Sequence, residues 1–130
     1  MNTLLPELPK TINKREAKIT PRVLAWMKKN YPFSVALEIK VSKTNTIPAS
    51  ALKDHQHKAL IAVKSKYGMT YKIPDTGRVQ APFDAFQLKH TTSFVVACFP
   101  KHGTCLAIAP EKWQGAKYEP MSACEFVINL

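Results

Sequence analysis

The sequence predicts an α/β domain in which a central mixed sheet is flanked by helices. Three observations carry that expectation. Phe33 to Val41 alternates apolar and polar residues at a period of two, the signature of a strand with one buried face. Two segments before residue 68 carry apolar residues at helical spacing. After residue 68 come short runs rich in β-branched and aromatic residues, so the order is helix, strand, helix, then strands. At 130 residues, 45% of them hydrophobic, the chain has enough apolar material for one core, and residues 1–130 are read as a single domain.

Residues 1–12 mix prolines with apolar residues and read as an extended arm. Thr20-Pro21 has the form of a helix start, an N-cap followed by proline. Val23, Leu24 and Met27 then form an apolar stripe up to Asn30, with Arg22, Lys28 and Lys29 outside. The strand that follows places Phe33, Val35, Leu37, Ile39 and Val41 on one face and Ser34, Ala36, Glu38, Lys40 and Ser42 on the other. A polar loop is expected over 42–48. A second helix is expected over 49–67, with Leu52, Gln56, Ala59, Leu60, Val63 and Tyr67 on its stripe and Gly68 as its stop. Strands are expected at 69–73, 83–88, 93–99, 104–109 and 123–129. The strands at 83–88 and 93–99 are read as a hairpin across Lys89 to Thr92, and the next pair as joined by Lys101-His102-Gly103.

Charge narrows the function. Nineteen Lys and Arg against nine Asp and Glu give a formal charge of +10. Residues 1–80 hold 15 of the basic and 5 of the acidic residues, so the excess lies entirely there. A positive potential of that size attracts polyanions, and nucleic acid is the expected partner, with Lys28, Lys29, Lys58 and Lys64 as phosphate contacts. No segment has the roughly 18 consecutive apolar residues of a membrane span. Pro6, Glu7 and Pro9 interrupt the apolar block that a signal peptide needs. Cys98, Cys105 and Cys124 are odd in number and lack Cys-x-x-Cys spacing, so they read as buried thiols in a reducing cytoplasm rather than as a zinc or disulfide framework.

The residues with chemistry begin at Glu38 and Lys40, two apart on one strand and so projecting side by side. Phosphodiester hydrolysis uses carboxylates to hold a divalent cation and a cationic group to position the attacking water. An isolated Glu-x-Lys is more often an exposed ion pair. Its company raises its meaning. Asp84 stands among Phe83, Ala85, Phe86 and Leu88, where a buried carboxylate would need a partner or a metal. Gln56 occupies a core-facing helical position, where an amide orients a water or metal ligand, or caps a backbone carbonyl. Asp75 lies in Pro-Asp-Thr-Gly, an ordinary turn sequence. His55 and His57 flank Gln56 without matching zinc-ligand spacing and read as phosphate or solvent contacts.

With these residues in view, the chain resembles the PD-(D/E)xK nuclease superfamily, and within it the Holliday-junction resolvases of phages and bacteria. Glu38-Ile39-Lys40, followed by Lys43, Ile47 and a helix opening with His55-Gln56, is similar to the catalytic strand and following helix of those enzymes. Pro82-Phe83-Asp84 resembles their Pro-Asp strand with one residue inserted. The resemblance spans roughly residues 14–100. It departs in order, since the family's Asp strand precedes its Glu-x-Lys strand and here follows it, as in a permuted or migrated site.

The resemblance implies a restriction-endonuclease-like sheet and a Mg²⁺-dependent endonuclease, with Mn²⁺ as a substitute. Asp84, Glu38 and the Ile39 carbonyl would be the metal ligands, Lys40 would position the water, and Gln56 would support them. Lys43 would contact phosphate, with His55, Asp75 and Glu16 as further candidates, Glu16 for the family's first-helix glutamate. It also implies branched DNA as substrate, a homodimer with two sites for a near-symmetric junction, and a cytoplasmic location, that of the host if the source is viral. The alternatives left open are a non-catalytic nucleic-acid-binding protein with the same fold, a nuclease acting on other DNA structures, and a protein-interaction adaptor, which the +10 charge disfavours.

Overall fold

A computed structural model describes residues 14–77, 81–119 and 123–130, the first three of them in backbone only. The expected arm at 1–12 and the side chain of Glu16 lie outside the described residues. The architecture is mixed α/β. Its centre is a four-stranded sheet of β1 (Val35–Val41), β5 (Thr92–Phe99), β6 (Thr104–Ile108) and β8 (Phe126–Asn129), in that spatial order. β1 runs parallel to β5, with Leu37 opposite Phe94 and Ile39 opposite Val96, and β5–β6 and β6–β8 are antiparallel. Two small ribbons accompany it: β2 (Thr46–Ile47) with β7 (Ala116–Lys117), and β3 (Met69–Lys72) with β4 (Ala85–Leu88).

Helix α1 (Lys14–Asn30) covers one face of the sheet. It starts earlier than expected, and Pro21 lies inside it. Proline there removes one backbone donor and strains the turn before it. The compensation is hydrophobic, because Ile19, Val23 and Met27, spaced by four, are all buried against Phe94, Val96, Cys98, Cys105, Ala107 and Ile128. Leu24, expected on the stripe, is half exposed, and Ile19 takes its place. Val35, Leu37, Ile39 and Val41 pack on the same cluster, as their alternation predicts. Phe33 is excluded from the strand and stands 71% exposed.

The opposite face carries helix α2 (Asp54–Ala62), preceded by a 3-10 turn at Ala49–Ala51. The expected single helix over 49–67 is thus shorter, and Tyr67 is exposed. Pro48 delays the start, and the end comes where the chain bonds elsewhere. Val63 and Ser65 give their carbonyls to Thr91 N and His90 N. Ser93 Oγ donates to the Leu60 carbonyl at 2.7 Å inside the core, and one ring nitrogen of His57 lies 3.0 Å from the Pro110 carbonyl. These bonds hold α2 over β5 and beside β1.

They also explain a correction to topology. β4 does not fold back on β5; it pairs with β3, with Tyr71 opposite Phe86. Both flanks of β5 are taken by β1 and β6, and residues 89–91 are tied to the end of α2 instead. Gly68, with φ +68°, lies where any Cβ would collide with the Leu88 carbonyl oxygen, so glycine allows β3 to approach β4. The β5–β6 hairpin forms as expected, closing through Gly103 in the left-handed region. That register sets Cys98 opposite Cys105, both fully buried, and joins them in a disulfide where free thiols were expected. Strand register, which Cys spacing alone does not reveal, makes this pair. Cys124 is free and half-buried, and burial pushes its thiol above the usual range. Among the described residues no helix is long and apolar enough to cross a membrane.

Candidate functional site

Even-numbered residues of β1 point away from α1, which brings Glu38 and Lys40 under α2. The first turn of α2 supplies Gln56, and the three side chains close a ring. Lys40 Nζ lies 3.3 Å from Glu38 Oε2 and donates to Gln56 Oε1 at 3.1 Å. Gln56 Nε2 donates to the same Glu38 Oε2 at 3.2 Å. Gln56 Oε1 also accepts from the Lys53 backbone N–H at 3.0 Å, the returning half of a capping box that fixes the amide's orientation. Gln56 was expected either to orient a water or metal ligand or to cap a backbone carbonyl; it bonds Glu38 and Lys40 and accepts from a backbone N–H rather than capping a carbonyl.

Lys40 retains 14% of its side-chain exposure and Glu38 29%. The pair is therefore partly withdrawn from water, where charge-assisted hydrogen bonds gain strength and a missing partner costs more. Lys40 has three N–H donors, and its contacts to Glu38 and Gln56 use two of them. Glu38 and Gln56 also line a cavity of about 450 Å³ between β1, α2 and the β3–β4 ribbon. Its other walls are Ala36, Leu37, Ala59, Leu60 and Val63, the ribbon residues Met69, Tyr71, Phe86 and Leu88, and His55 at the start of α2.

The remaining candidates fall elsewhere. Asp84 is not buried in a strand; it is exposed, just ahead of β4, and its carbonyl accepts from Ile73 N at 2.8 Å. The aromatic neighbours that argued for burial, Phe83 and Phe86, are themselves exposed, because a two-stranded ribbon outside the sheet buries little. Asp84 does not line the cavity with Glu38. Asp75 accepts from Gly77 N in a tight turn, as its sequence implied. Lys28, Lys29, Lys43 and Lys58 are exposed. Lys64 is held instead by Glu111, 2.8 and 2.6 Å from its two carboxylate oxygens. This hydrogen bond from Lys64 pulls the Glu111 carboxyl below its ordinary range. Tyr71 and Phe86, unassigned from sequence, are the additions; their signal is two aromatic residues opposite one another in a ribbon.

Mg²⁺ keeps several waters and is commonly held by one or two carboxylates plus substrate phosphates. Among the described residues no group of three or more His, Cys, Asp and Glu converges as a metal cage, and Glu38 is the one carboxylate on the cavity wall. That donor set fits an ion shared with phosphate and water, not an all-protein site. No protein-family model, no curated protein and no solved structure matches this chain, so the reading rests on the residues themselves.

Proposed function

We propose that the protein is a divalent-metal-dependent endonuclease of DNA, with a restriction-endonuclease-like sheet and branched DNA of the Holliday-junction type as its substrate. The observation that supports this most is the closed Glu38–Lys40–Gln56 ring, of which Glu38 and Gln56 line an open cavity, in a chain of charge +10. A Glu-x-Lys strand facing a glutamine from the next helix places a carboxylate, an ammonium and an orienting amide within a few ångströms.

In this reading Glu38, with the Ile39 carbonyl beside it on the strand, holds the cation together with the substrate's phosphate. The chemistry that such an ion supplies when bound is neutralisation of phosphate charge and a more acidic water. Lys40 Nζ orients the attacking water or the phosphate oxygen through its remaining N–H. Gln56 keeps Glu38 Oε2 and Lys40 in place, and the exposed Lys28, Lys29, Lys43 and Lys58 draw in the phosphate backbone. A junction's near two-fold symmetry calls for two such sites, hence a homodimer.

A second reading has its own observation. Glu38 and Lys40 satisfy one another, and no second carboxylate lines the cavity among the described residues. A non-catalytic nucleic-acid-binding protein would have such a pair as structure.

One experiment separates the two. Labelled four-way junction, linear duplex and single strand are incubated with the protein, with Mg²⁺ or with EDTA, beside Glu38→Gln. The nuclease reading expects paired nicks in the junction that need Mg²⁺ and vanish in the variant. Tight binding with no cleavage under any condition refutes it in favour of the binding protein.

A further inference from the structure

The β3–β4 ribbon turns an apolar face toward β1 and α2 across a cavity. Register pairs Met69 with Leu88 and Tyr71 with Phe86, so alternation puts these four on one side, and all four line the cavity that Glu38, His55 and Gln56 also line. The two rings stack at 5.3 Å and 27°, yet Tyr71 stays 42% exposed and Phe86 36%. A ribbon that only needed to be stable would bury these rings, since each aromatic carries a large apolar area.

We infer that this cleft is a subsite for an unstacked nucleobase, received against Tyr71 and Phe86 with its edge or sugar toward Glu38, His55 and Gln56. The inference rests on the nucleic-acid reading above and names the substrate class more narrowly, as DNA with an unpaired base next to the site. Three features select that occupant. The walls are aromatic and aliphatic, suited to a π-face, and every base has one. Glu38, His55 and Gln56 add polar groups to the lining, suited to a base edge or sugar. The chain's +10 charge favours a ligand that carries phosphate. A purely apolar ligand would gain nothing from the last two, and a paired duplex offers no free base face. Branch points, bulges and single strands do.

The test uses a duplex with one bulged 2-aminopurine, and the same duplex with an abasic residue at the bulge, bound to the full chain in EDTA. Base stacking on an aromatic side chain implies an affinity loss of about tenfold when either ring or base is removed. Wild type is expected to quench the 2-aminopurine and to bind it about tenfold tighter than the abasic duplex. Tyr71→Ala and Phe86→Ala should lose both the quench and the preference, while Tyr71→Phe and Phe86→Tyr, which keep the rings, retain them and control for folding. Equal affinity of wild type for the two duplexes, or a preference that survives both alanine variants, overturns the subsite. Failure of the nuclease reading looks different, as a base preference that persists without Mg²⁺-dependent cleavage.

Discussion

The two faces of strand β1 are built from one heptapeptide and do opposite work. Toward α1 it presents Val35, Leu37, Ile39 and Val41 to a seam of buried residues. Toward α2 it presents Ala36, Glu38 and Lys40 to a shorter helix, with Ala36 and Glu38 on the wall of an open cavity. α1 runs 17 residues and α2 only 9, so the first covers its side and the second leaves room beside β1. The lesson is that the open side arises from incomplete cover. Charge is tolerated there because Glu38 and Lys40 pair with each other and both bond Gln56, which the Lys53 backbone N–H holds in place.

The sharpest way to test this division is to remove the charge altogether. Glu38→Leu with Lys40→Met should abolish Mg²⁺-dependent cleavage, a fall of about 10²–10⁴-fold if the two groups handle water and proton. The urea midpoint should hold or rise, because replacing a partly buried ion pair with well-packed apolar groups is often neutral or stabilising. Met27→Ala, on the other face, should do the reverse. It removes a side chain only 4% exposed and should cost about 2–5 kcal/mol, a large part of a typical total of about 5–15. Activity measured well below its melting point should persist. If the double variant unfolds and Met27→Ala does not, the faces have been assigned the wrong way round.

Much of this division was legible beforehand. Period-two alternation sets Glu38 beside Lys40, an amide on an apolar helical stripe marks Gln56, and the fold brings all three into contact. What misled was inference from composition to burial. Asp84 stands among aromatic residues, and aromatic residues ordinarily signal a core, yet the ribbon that carries them lies beside the sheet. The same ambiguity hid Tyr71 and Phe86. Pairing partners were illegible too, since a strand such as β4 has no local preference between β3 and β5; tertiary bonds from His90 and Thr91 to the end of α2 decide it. The disulfide follows instead from the register of the β5–β6 hairpin, which sets Cys98 opposite Cys105.

Gly68 allows an intermediate test, because it touches the ribbon and not the central sheet. Gly68→Ala puts a Cβ into the Leu88 carbonyl at φ +68°, a strain of about 1–3 kcal/mol. The loss should show as faster amide exchange at the β3–β4 ladder, with exchange in β5 and β6 little changed. Equal acceleration in both would mean that the ribbon and the sheet unfold as one unit.

The smallest effect belongs to the Lys64–Glu111 bridge, which joins the end of α2 to the 3-10 turn at Pro110–Lys112. Its carboxylate is half exposed, so solvent screening keeps its worth to no more than about 1 kcal/mol. The sign is nevertheless definite. The Glu111 carboxyl is lowered by the hydrogen bond from Lys64, so its contribution is fully present above the ordinary carboxylate pKa, about 4.3. It disappears as pH falls through the lower value of the folded state. Denaturant melts of wild type and Glu111→Gln should therefore differ slightly at pH 7 and converge at strongly acidic pH. High salt should shrink the difference at neutral pH, whereas the Glu38–Lys40 pair, more withdrawn from water, should respond less. A bridge at Glu111 that resists salt as well as the ring at Glu38 does would erase the distinction between an exposed contact and a sheltered site.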